Sequence, residues 1–129
     1  MVKKILTVDD EQDIIYTVKH GLEKLDPDFQ VNYVDSGQKC FELLEKNEIP
    51  DLILLDIMMP DMTGWEVLKK LKENPTWEKI PIIFLTARTD RVAEKAGGFL
   101  AEDYIEKPFK VEELKERIER VLKEAKEKK

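Results

Sequence analysis

Cysteine, basic excess and long apolar runs are all scarce in this chain, and each scarcity removes a class of protein. One cysteine, Cys40, in 129 residues cannot form an intramolecular disulfide, which fits a reducing, cytoplasmic setting. No stretch approaches the roughly 20 apolar residues of a membrane helix. The first apolar run, Ile5-Leu6-Thr7-Val8, is far shorter than the hydrophobic region of a secretory signal. The net charge of −6 leaves no excess of Lys/Arg for a phosphate backbone, so direct nucleic-acid binding is not expected. What is present is ordinary for one globular domain spanning 1–129: hydrophobic residues make up 42% of the chain, enough to bury a single core.

Short apolar runs alternate with segments of helical periodicity, the pattern of βα repeats and a parallel sheet. Strands are predicted at about 3–9, Phe29–Val34, 51–56, 80–86 and Asp103–Glu106. The first helix carries Ile14, Ile15, Val18, Leu22 and Leu25 and ends before Pro27. Ser36 caps a second helix bearing Cys40, Phe41, Leu43 and Leu44. Thr63 or Gly64 opens a third, with Val67, Leu68 and Leu71. A fourth at 90–96 is weakened by Gly97-Gly98, since each Gly costs about 1 kcal/mol relative to Ala in a helix interior. The last, from about Lys110, lines up Val111, Leu114, Ile118, Val121, Leu122 and Ala125. It also carries Glu-before-basic pairs four apart: Glu113–Arg117, Glu116–Arg120, Glu119–Lys123 and Glu124–Lys128.

Polar residues close the strands. Asp9-Asp10 follows the first, Asp56 the third, Thr86 the fourth and Lys107 the fifth. In an open parallel sheet, ligands bind outside the carboxyl ends of the strands. Three carboxylates, a hydroxyl and an ammonium therefore converge on one pocket suited to a divalent cation and a phosphoryl group. Two carboxylates about 4 Å apart repel by roughly 4 kcal/mol at an effective dielectric of 20, and a hard cation such as Mg²⁺ removes that repulsion. Asp56 is the candidate nucleophile, able to form an acyl phosphate. Lys107 supplies positive charge to the transferring oxygens and Thr86 a hydroxyl. Lys107 precedes Pro108, which makes its backbone extended, and a cis bond there would aim the ammonium inward. Simpler roles compete: Asp10 could N-cap the first helix with Asp13 at N3, Lys107 alone could be a surface lysine, and Thr86 alone a strand-ending β-branched residue.

Over essentially its whole length the chain resembles the response-regulator receiver family. The resemblance is carried by Val8-Asp9-Asp10-Glu11, by Leu54-Leu55-Asp56-Ile57-Met58-Met59-Pro60-Asp61-Met62-Thr63-Gly64, by Leu85-Thr86-Ala87 and by Asp103-Tyr104-Ile105-Glu106-Lys107-Pro108-Phe109. It implies an α/β three-layer sandwich of flavodoxin type, with a five-stranded parallel sheet of order 2-1-3-4-5 and five helices. It implies that Asp56 takes a phosphoryl group from a sensor histidine kinase. Asp10, Asp56 and the backbone carbonyl of Met58 would hold Mg²⁺, with Asp9 assisting through water. Thr86 and Tyr104 would form the switch pair, and Lys107 would bind a phosphate oxygen. A downstream protein partner, not identified by the sequence, would read the altered face. One region departs from the family pattern: Leu100-Ala101 stands where Gly-Ala is usual before the Asp-Tyr of strand five. That makes the fourth helix atypical.

Rival folds with a strand-end carboxylate fit less well. A haloacid-dehalogenase-type phosphatase wants a second Asp two residues after the nucleophile, where this chain has Met58. A flavodoxin-like electron carrier needs a Ser/Thr/Gly-rich phosphate loop after strand one, where Asp9-Asp10-Glu11 would repel phosphate. An unphosphorylated interaction module would normally have lost a pocket residue. His20, the only histidine, lies about 200° round the first helix from Val18 and Leu22 and so faces solvent. Cys40 reads as a small core residue, and Trp65 and Trp77 as partly buried packing residues. Trp65, near Asp56 in sequence, is a natural fluorescence reporter. Met1 and the charged helical end are those expected of a stand-alone receiver.

Overall fold

The apolar runs become strands because a helical layer covers each face of the sheet they form. A computed structural model describes residues 1–87 and 101–127. Its five strands are Lys3–Val8 (β1), Phe29–Val34 (β2), Leu52–Leu55 (β3), Ile82–Thr86 (β4) and Asp103–Glu106 (β5). All pair in parallel in the order β2-β1-β3-β4-β5. The described helices are Gln12–Leu25 (α1), Gly37–Glu45 (α2), Gly64–Lys72 (α3) and Val111–Glu127 (α4). The expected three-layer α/β fold and strand order are found. The helix expected at 90–96, and most of the departure before strand five, lie outside the described residues, which hold four helices rather than five.

Period-two alternation assigns side chains to the layers. Leu52, Leu54, Ile83 and Leu85 pack with Val18 and Leu22 of α1 and Leu114, Ile118 and Val121 of α4. Ile53, Leu55, Ile82 and Phe84 pack with Cys40 and Leu44 of α2 and Val67, Leu68 and Leu71 of α3. β3 and β4 are buried on both faces, which is why they read as unbroken apolar runs. Cys40 is fully buried, and burial pushes its thiol up to about 12, so it serves as core. His20 is exposed and its ring lies 4.1 Å from that of Tyr16.

Helix starts follow the sequence signals. The Ser36 hydroxyl accepts the Lys39 N–H, and Thr63 and Glu66 form a reciprocal capping box. Gly64 matters for the site. A Cβ there would collide with the Asp56 carbonyl oxygen, so glycine lets α3 start directly against the end of β3.

The predicted ladder of Glu-before-basic pairs along the last helix is largely replaced. Glu113–Arg117 forms at 3.3 Å. Arg117 and Arg120 also converge on Asp103 at 2.5 and 2.9 Å, while Glu119 pairs with Lys115 at 3.0 Å and Lys3 at 3.1 Å. A less exposed partner on the sheet competes well against a solvated neighbour one turn away. Lys128 lies outside the described residues.

Candidate functional site

Strand register assembles the site. Val8 pairs with Leu55, so Asp9 and Asp56, each one residue further on, leave the sheet side by side. The Asp56 N–H donates to the Val8 carbonyl at 2.9 Å, and the Asp9 N–H to the Val34 carbonyl at 3.2 Å. Across β4, the Lys107 N–H donates to the Thr86 carbonyl at 2.7 Å. Three neighbouring strand ends thus carry Asp9, Asp56 and Thr86, all buried, with Lys107 following the fourth. The Lys107–Pro108 peptide bond is cis.

The Lys107 ammonium sits among three acids. Its Nζ donates to Asp9 Oδ2 at 2.8 Å and to Glu11 Oε1 at 3.2 Å, and lies 3.6 Å from Asp56 Oδ1. The side chains of Asp9, Asp56 and Lys107 are 2–7% exposed, whereas that of Glu11 is 55% exposed. Three members form the floor of the pocket and Glu11 lies at its mouth.

Charge is unbalanced here. Burial, then the charges of Asp9 and Asp10, push the Asp56 carboxyl up to about 6 despite Lys107. Burial also raises Asp9, outweighing its bonds from Lys107 and the Glu11 N–H. Burial acts to lower the Lys107 ammonium, but its acidic neighbours overcome that and raise it. Carboxylates outnumber the ammonium, and a phosphoryl anion could not approach such a pocket without more positive charge.

The donor set fits a hard divalent cation. Carboxylate oxygens of Asp9, Glu11 and Asp56 lie within 4.8 Å of one another. Asp10 stands outside that group; it is exposed and acts on Asp56 through its charge. It does not cap α1, whose N-cap position is Glu11. Met58 is exposed beyond β3, where its backbone carbonyl belongs to the same loop. Tyr104 lies on the neighbouring face, its ring 5.3 Å from Phe84 and 6.3 Å from Trp65, and Trp65 lies 4.7 Å from Phe84.

The sequence pattern does not single out Glu11, because an acid beside a helix start is commonplace. A usable signal does exist: Glu is not a favoured N-cap residue, so its side chain is free for other work. The Trp65–Phe84–Tyr104 aromatic group also becomes visible only in three dimensions.

Comparison with known proteins agrees with this geometry. Residues 5–119 match the family described as the response regulator receiver domain. The chain is 36% identical over 129 residues to the phosphate regulon transcriptional regulatory protein PhoB of Rhizobium meliloti, covering 98% of this chain and 55% of that protein. It is 41% identical over 115 residues to a probable cyclic di-GMP phosphodiesterase of Vibrio cholerae, covering 88% of this chain and 25% of that one. The chain therefore spans about half or less of the length of these curated relatives. Among solved structures, a CheY-like response regulator receiver domain protein from Methanospirillum hungatei superposes with a TM-score of 0.88 at 28% identity, both chains covered completely.

Proposed function

Because the chain belongs to the response regulator receiver domain family of two-component signalling, we propose that Asp56 accepts a phosphoryl group from a phosphohistidine of a sensor histidine kinase. In the transfer an Asp56 carboxylate oxygen bonds to phosphorus as the bond from phosphorus to the donor nitrogen breaks, the electron pair leaving with the donor. The chain is a phosphoacceptor that takes part in its own phosphotransfer and dephosphorylation rather than an enzyme acting on a separate substrate. The observation that carries this reading is a buried Asp56 whose Oδ1 lies 3.6 Å from the ammonium of a buried Lys107, beside buried Asp9, at the strand ends.

Asp10, Asp56 and the Met58 carbonyl would hold Mg²⁺, with Asp9 assisting through water. When bound, Mg²⁺ supplies the positive charge that lets a phosphoryl anion sit among these carboxylates. Lys107 steadies a phosphoryl oxygen, and Thr86 turns its hydroxyl towards another. Movement of Thr86 is passed to Tyr104, whose ring already stacks on Phe84 beside Trp65. Phosphorylation thereby biases two conformations of the face bearing Tyr104, which a downstream protein reads.

Intact-mass spectrometry after incubation with acetyl phosphate tests the reading. Wild type is expected to gain one phosphoryl group only when Mg²⁺ is present, and Asp56→Asn to gain none. No gain in wild type with Mg²⁺ bound would refute the phosphoacceptor assignment.

A further inference from the structure

Glu11 sits at the mouth of the pocket for a reason that helix formation does not supply. It occupies the N-cap position of α1, with φ −92° and ψ 111°, yet its side chain makes no capping bond. Ser, Thr, Asp or Asn would serve α1 better there. Its carboxylate instead reaches the Lys107 ammonium at 3.2 Å. Asp9 fixes both partners: its Oδ1 accepts the Glu11 N–H at 2.9 Å and its Oδ2 accepts from Lys107 at 2.8 Å. One buried carboxylate thus sets the distance between the Glu11 backbone and the ammonium.

From this arrangement we propose that Glu11 is a positioning residue, an acidic latch that reaches from the mouth of the unphosphorylated pocket to the buried Lys107 ammonium and competes with the phosphoryl group for it. The inference rests on Asp56 being the phosphoacceptor. Lys107 makes hydrogen bonds to Asp9 and Glu11 but is only 3.6 Å from Asp56 Oδ1. An oxygen on phosphorylated Asp56 would compete for this ammonium with Glu11, the most exposed of its three partners. Glu11 also projects negative charge over the path by which a phosphoryl anion enters. Both effects act in one direction: the latch disfavours the phosphorylated pocket, and removing it favours that state.

Calorimetric titration with beryllium fluoride, a phosphoryl mimic, at saturating Mg²⁺ tests the latch on wild type, Glu11→Gln and Glu11→Ser. Both variants are expected to bind the mimic about two- to fivefold more tightly, the range for losing one partly exposed ion pair. Glu11→Ser should keep or raise the melting temperature, since serine can cap α1. Unchanged or weaker binding of the mimic in both variants overturns the latch. Failure of the reading beneath it looks different: wild type then neither binds the mimic nor gains mass with acetyl phosphate.

Discussion

The two ends of the sheet treat acidic residues in opposite ways. At the amino ends of the strands, carboxylates are matched to cations. Lys3 lies 3.1 Å from both Asp26 and Glu119, and Asp103 accepts from Arg117 and Arg120. Their carboxyls fall below the ordinary range. The Asp28 N–H and then Lys3 lower Asp26, and Lys115 leads in lowering Glu119. Burial acts to raise Asp103, but Arg117, the Tyr104 N–H and Arg120 overcome it. At the carboxyl ends, Asp9 and Asp56 move upward instead, because burial disfavours their charged forms and the one ammonium they share does not offset it. The contrast separates an end whose carboxylates are matched by cations from an end whose carboxylates outnumber the one ammonium among them.

Substitutions at the two ends should therefore change stability with opposite sign. The largest effect is expected from Asp103→Ala, which leaves two arginines without their shared carboxylate. A loss of about 2–3 kcal/mol follows, lowered from the fully buried case because both arginines reach solvent. Urea denaturation would read it, and a neutral result would break the contrast at its strongest point.

Asp56→Asn should do the reverse. Moving the carboxyl from its ordinary 3.8 to about 6 corresponds to about 3 kcal/mol of destabilisation when ionised. That shift already includes the attraction of Lys107; repacking around the new amide trims the gain from substitution to about 1–2 kcal/mol at pH 7. The folded carboxyl holds its proton more tightly than the unfolded one. Its ionised form is thus fully destabilising above about pH 6, and the penalty fades as pH falls towards 3.8. The advantage of Asp56→Asn should shrink over that same window; a gain constant from pH 4 to 8 would remove the titration account.

Lys3→Met tests the mildest claim. Its partly exposed pairs should be worth no more than about 3 °C in melting temperature, and that difference should shrink as salt is raised. A large, salt-insensitive loss would point to packing of the lysine stem on Phe29, over whose ring the ammonium sits at 4.8 Å.

Much of this was legible in the residues. The edge strands Phe29–Val34 and Asp103–Glu106 have the bounds their residues predict, and the three inner strands differ from expectation only at their ends. Ser36 and Thr63 cap the helices they appeared to start. Strand order came from family resemblance, since apolar runs alone cannot say which strand neighbours which. The convergence of Asp9, Asp56 and Lys107 followed from their placement at strand ends. The role of Glu11 is not encoded in local spacing, because its partner Lys107 lies 96 residues away. The same holds for the charged face of α4: four-residue spacing finds Glu113–Arg117 but not Asp103 on the sheet beside it.

The most direct test of the contrast is a carbon-13 NMR titration of the Asp56 carboxyl in Mg²⁺-free and Mg²⁺-containing buffer. The carboxyl is expected to titrate near pH 6 without the ion and to move down clearly when Mg²⁺ is added. An Asp56 that titrates near 4 in both buffers would mean that its charge is already balanced, contradicting a pocket built to receive a cation and a phosphoryl group.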